Sequence, residues 1–158
     1  MENSLEEMIV SKTMRFEEVD STFFLIGLLS AFDNRYQAKA DTFFEDISWK
    51  QFFAVISLNL CKEVPTINEM AEIMGSSHQN VKKILSKLES RGYVEIKRDE
   101  KDRRKQRVYL TEKMQHFNEA HEEGGKKIVN TIFEGIDEED IQTTIRTIMH
   151  MEKNLNKI

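Results

Sequence analysis

The chain has 158 residues, 39% hydrophobic and 32% charged, with one proline and six glycines. That balance excludes a collagenous or mostly disordered chain and points to one largely helical domain with a sizeable core. A formal charge of −5 argues, taken as an average, against a nucleic-acid partner, and the single Cys61 excludes an intrachain disulfide framework.

The start, Met1 to Glu7, is acidic and lacks the basic region of a signal peptide. The most apolar run, Phe23 to Leu29, is far shorter than the roughly 20 residues that span a bilayer, so the expectation is a soluble cytoplasmic protein with no membrane partner. The first helical signal runs from about Leu5 or Thr13 to Ala40, with Phe16, Val19, Phe23, Ile26, Leu29 and Phe32 at three- and four-residue steps. Around Phe23–Ile26 it is apolar on every side, which predicts burial from several directions and an oligomer seam.

Ser48 and Gln51 fit a capping box, followed by an expected apolar face of Phe52, Val55, Ile56 and Leu60 before Pro65 ends the segment. Thr66 and Glu69 form a second box, with Met70, Ala71 and Met74 after it and Gly75 as the stop. A third helix opens at Ser76–Gln79, buries Val81, Ile84, Leu85 and Leu88, and closes at Gly92. The period then changes to two in Tyr93–Arg98 and again in Gln106–Thr111, around the charged run Asp99–Lys105. This predicts a hairpin with an extended, solvent-facing tip. Helical spacing returns through Phe117, Ala120, Ile128 and Ile132, with Gly124–Gly125 as a weak point. Asp137–Asp140 suits an electropositive helix start, and Ile141, Ile145, Ile148 and Leu155 line the last helix.

A short helix, a turn with glycine, an amphipathic helix and a hairpin make a winged helix-turn-helix. The fold class is therefore mainly α with a small β-hairpin wing. The second helix of such a motif buries one face and presents small polar and basic groups to a major groove. Here those groups are Ser76, Ser77, His78, Gln79, Asn80, Lys82, Lys83, Ser86 and Lys87. Gln and Asn can pair with adenine, lysine can reach guanine or phosphate, and hydroxyls at a helix start favour phosphate. Arg103 and Arg104, beside Lys105 at the hairpin tip, suit a narrow minor groove, and Asp102 is explicable there if it pairs with a neighbouring arginine. From Ser76 to Arg107 there are 11 Lys and Arg against 5 Asp and Glu, a formal +6, whereas the remainder holds 12 against 23, a formal −11. Basic charge is concentrated where the groove-facing surface is expected, which reverses the argument from the average.

The run from Ser48 to Thr111 resembles the core of the MarR family of transcriptional regulators. Ile67–Ala71, Val81–Val94, Asp99–Arg104 and Val108–Thr111 carry the resemblance, and the combination of Asp-Arg-Arg in the wing with Leu-Thr after it is its most specific part. Glu112–Met114 departs from the family, where a glycine is common. The resemblance implies a single domain over 1–158, with a DNA-binding core at 48–111 and helical dimerisation regions at 5–40 and 112–158. It implies a homodimer on a pseudo-palindromic operator, usually a repressor released by a ligand; most of the eight methionines and ten phenylalanines read as core, and a pocket using some of them would suit a small apolar or aromatic effector. It also implies that Arg104 or Arg103 enters the minor groove with Asp102 bracing it.

Other readings carry less weight. Lysines on one helix face are most often simply solvated, and a winged helix can instead dock an acidic protein partner. Cys61, with only Lys62 as a basic sequence neighbour, reads as a small buried hydrophobe rather than a redox sensor. His116 and His121, five apart, fit metal ligation poorly, and His150 reads as a surface residue. No phosphate loop, nucleophile elbow or paired metal motif supports an enzyme, and no cofactor or metal is expected.

Overall fold

The computed structural model describes residues 20–44 and 46–158. The expected helical positions Phe16 and Val19, and the proposed starts at Leu5 or Thr13, lie outside the described residues. Among those described, six helices and one hairpin follow in order: α1 (Ser21–Ala40), α2 (Trp49–Leu60), α3 (Ile67–Ile73), α4 (His78–Ser90), β1 (Val94–Arg98), β2 (Gln106–Leu110), α5 (Glu112–Ile132) and α6 (Glu138–Leu155). Two compact units result, one ending at Tyr109 and one running from Leu110 to Ile158.

Local chemistry sets the helix starts of the first unit. Ser48 Oγ accepts from the Gln51 N–H at 3.4 Å while Gln51 Oε1 accepts from the Ser48 N–H at 2.9 Å. Thr66 and Glu69 repeat this reciprocity ahead of α3, at 3.2 and 2.6 Å. Each pair satisfies two amides that the first helical turn would leave without partners. Gly75 at φ +56° and Gly92 at φ +75° follow α3 and α4 in the left-handed conformation that terminates helices.

The core of this unit forms where α4 meets α2, α3 and β1. Val81, Ile84, Leu85 and Leu88 of α4 are buried as their spacing predicts, together with Ile67, Met70, Ala71, Val94 and Val108. On α2 the buried face is rotated from the expected one. Ala54, Val55 and Leu58 are inside with Gln51 and Ser57, whereas Leu60 is 77% exposed and Phe52 and Ile56 are half-buried. Small side chains let neighbouring helices approach, and the Ser57 hydroxyl is satisfied by donating to the Phe53 carbonyl at 2.8 Å.

Helix α1 does not match its expected burial within the chain. Only Ala40 is buried, and Phe23, Ile26 and Phe32 remain largely exposed.

In the second unit Thr111 caps α5, its Oγ1 accepting from the Met114 N–H at 3.4 Å. The helix runs unbroken through Gly124–Gly125. Two glycines cost about 1 kcal/mol each, and breaking a long cooperative helix would cost more. Glu138, Glu139 and Asp140 occupy the first turn of α6, as charge at a helix start favours. No residue of α6 is buried, so Ile145, Ile148 and Leu155 form an uncovered stripe.

Candidate nucleic-acid interface

Helix α4 presents one polar face to solvent. His78, Gln79, Asn80, Lys82, Lys83, Ser86 and Lys87 are all exposed, opposite the buried Val81, Ile84, Leu85 and Leu88. Ser77 is the N-cap, its hydroxyl accepting from the Asn80 N–H at 3.3 Å. Asn80 Nδ2 donates to the half-buried Ser76 Oγ at 2.9 Å. Ser76, Ser77 and Asn80 thus shape the helix start, and their side chains enter any contact already oriented.

The hairpin tip is ordered by its acidic residues. Asp102 Oδ1 accepts from the Arg104 backbone N–H and from Arg104 Nε, both at 3.1 Å, and Oδ2 accepts from Nη2 at 3.3 Å. The Arg104 side chain is nevertheless 92% exposed, an aimed cation in solvent. Its hydrogen bonds hold the Asp102 carboxyl below the usual carboxylate range. Between Arg103 and Arg104, this geometry selects Arg104 as the braced residue. Arg103 and Lys105 are exposed beside it.

Asp99 departs from the expected solvent-facing tip, because it is buried. Its Oδ1 accepts from the N–H groups of Lys101 at 2.8 Å and Asp102 at 2.7 Å, and its Oδ2 pairs with Arg107 Nε. The Arg107 side-chain bond, followed by the Asp102 N–H, lowers its pKa to about 2. Arg107 also donates from Nη1 to the Val64 carbonyl. On the other strand, Glu89 at the end of α4 accepts from the Ile96 N–H at 2.9 Å. Neither Glu89, Asp99 nor Arg107 was legible as a positioning residue. The only sequence signal was an aspartate at a strand end, a common side-chain turn former.

A cleft of about 350 Å³ lies in the same unit between α1, α2 and the turn into α4. Tyr36, Trp49, Phe53 and Met74 supply apolar surface, Asp33 and Gln37 supply polar groups, and Ser76 and Asn80 reach it from the start of α4. Tyr36 and Trp49 meet edge to face at 4.6 Å. Cys61 lies apart from this cleft, donating to the Ser57 carbonyl at 3.2 Å. Burial, with the charge of Glu69, pushes its thiol pKa up, which disfavours the reactive thiolate. Among the described residues no three His, Cys, Asp or Glu side chains are grouped to hold a metal ion, and no helix is long and apolar enough to cross a membrane.

Residues 56–105, from within α2 to the tip of the wing, match the MarR family model. A MarR/EmrR family transcriptional regulator from Acinetobacter sp. ADP1 superposes with a TM-score of 0.78 at 15% identity, covering 89% of this chain and all of the other. FabT of Streptococcus pneumoniae, solved in complex with DNA, gives a TM-score of 0.61 at 25% identity, covering 87% of this chain and 99% of FabT. MepR of S. aureus, also solved with DNA, gives 0.72 at 21% identity, with 87% and 99% covered. The family match falls on the helix-turn-helix and wing, and the shared fold extends well beyond them on both sides. Over the helix-turn-helix and wing the chain is thus similar to the MarR family, and its fold is that of solved MarR-family transcriptional regulators.

Proposed function

We propose that the protein is a sequence-specific DNA-binding regulator that acts as a homodimer on a pseudo-palindromic operator, as a ligand-responsive repressor. The observation that carries this reading is the pairing, in one unit, of an exposed polar and basic α4 face with a wing arginine aimed by its own aspartate. In this reading α4 enters a major groove with Gln79, Asn80, Lys82, Lys83 and Lys87 towards bases and phosphates, while Ser76, Ser77 and His78 meet the backbone at the helix start. Arg104 enters the adjacent minor groove, with Arg103 and Lys105 near its phosphates.

Dimerisation is supported by apolar surface that the single chain leaves uncovered: Phe23 and Ile26 on α1, Val129 near the end of α5, and Ile145, Ile148 and Met149 on α6. Two-fold symmetry would set the α4 helices about 34 Å apart, one turn of duplex. The cleft beside Trp49 is the proposed effector site, suited to a small aromatic ligand with a polar edge. Its contact with Ser76 and Asn80 gives such a ligand a route to the α4 start. This work on chromosomal DNA assigns the protein to the cytoplasm, and nothing in the reading requires an enzymatic step.

Footprinting on the DNA flanking the protein's own gene is the test. Two protected half-sites related by a dyad, retained against excess competitor duplex, are expected. Equal affinity for every duplex would refute sequence-specific regulation.

A further inference from the structure

Two aspartates sit within the basic wing loop, and neither spends its charge on solvent. Asp102 receives Arg104, and Asp99 receives the Asp102 backbone. Followed inwards, these bonds continue without a gap. Asp99 Oδ2 is held by Arg107, and Arg107 Nη1 reaches the carbonyl of Val64, before α3. The backbone seals the same place, because Val108 N–H donates to the Pro65 carbonyl at 3.0 Å and Arg107 forms an antiparallel bridge with Thr66. Glu69, fastened to Thr66 by the capping box, adds its negative charge near Arg107.

We propose that Asp99 and Arg107 are positioning residues for the wing arginine. They form a relay that carries the fixed position of the helix-turn-helix, through Asp102, to the Arg104 guanidinium. The proposal rests on the reading that Arg104 enters a minor groove. An unrestrained arginine loses much conformational freedom when it is immobilised in a groove, and groove width is read poorly by a group that can reach many positions. A relay anchored to α3 fixes the arginine relative to the helix-turn-helix before DNA arrives. It thereby assigns to the relay a share of the preference for narrow grooves, which neither Asp99 nor Arg107 need touch.

A relay and a purely structural turn differ in their coupling to Arg104. Asp99→Asn keeps an oxygen for the Lys101 and Asp102 amides but sets an NH₂ group against Arg107. Arg107→Lys keeps the charge and the strand but cannot make both side-chain bonds in the same geometry. The full chain carrying each change, alone and with Arg104→Ala, is titrated by fluorescence anisotropy with two duplexes of equal length, one rich in A-tracts and one entirely G·C. Thermal melts establish that each variant is folded. Arg107→Lys carries the test if Asp99→Asn loses its melting transition.

The relay predicts a loss of about three- to tenfold on the A-tract duplex, little change on the G·C duplex, and no further loss once Arg104 is alanine. A loss of equal size in the Arg104→Ala background overturns the relay, because the residues then act independently of that arginine. If Arg104→Ala itself weakens both duplexes equally, minor-groove reading by the wing fails, and the relay with it.

Discussion

Replacing Asp102 by alanine sets two effects of opposite sign against each other. A carboxylate that does no more than add negative charge to a DNA-facing loop repels phosphate, so its removal tightens binding to every duplex. A carboxylate that braces Arg104 does the reverse. The structure favours the brace: Asp102 meets Nε at 3.1 Å and Nη2 at 3.3 Å of a side chain that is 92% exposed. Freeing one long side chain before it must be immobilised weakens binding by about two- to tenfold in Kd. Arg104→Ala, which removes the groove contact itself, costs more, about 1–3 kcal/mol. Thermal stability moves little in Arg104→Ala, because that side chain stands in solvent. Fluorescence anisotropy at one salt concentration, with A-tract and G·C duplexes, reads the sign directly. Tighter binding of Asp102→Ala to both duplexes would refute the brace.

Lys83→Ala should weaken all sequences alike and flatten the slope of log K against log salt by about one unit if the lysine meets a phosphate; an unchanged slope removes it from the phosphate contacts. Ile145→Glu combined with Ile148→Glu should leave the helical signal intact, since both residues are exposed in the single chain, and yield monomers by light scattering; a persistent dimer excludes this face from the seam. The pairing of Asp99 with Arg107 also has a pH signature. Its carboxyl is held at about 2, below the ordinary 3.8, so its contribution to stability is complete above about pH 4 and is lost as pH falls through about 2. The difference in Tm between the wild type and Asp99→Asn should therefore be constant near neutrality and close between about pH 4 and pH 2; parallel curves down to pH 2 would contradict the pairing.

Much of the proposed interface was legible because its causes are local. Ser48–Gln51 and Thr66–Glu69 announce helix starts through hydrogen bonds spanning three residues, and the structure contains both boxes. The spacing of Val81, Ile84, Leu85 and Leu88 identifies the inner face of α4 and leaves its polar face by subtraction. Asp102 and Arg104 are two residues apart, so their pairing was within reach of sequence reasoning. Asp99 was not, because the charge run around it describes an exposed tip while its actual partner, Arg107, lies across the hairpin and reaches Val64.

The same division holds for the chain as a whole. Periodicity, caps and charge segregation determine by themselves a helical protein with a winged helix-turn-helix and a basic face, because each depends on neighbours within a few turns or strands. Only the tertiary structure decides which face of α2 is buried, that α1 and α6 leave apolar stripes uncovered, and that one aspartate of the wing is buried against Arg107 while another pairs with Arg104. Those outcomes depend on which surfaces meet across many residues, where backbone approach and buried polar partners select among side chains that sequence spacing alone treats as equivalent.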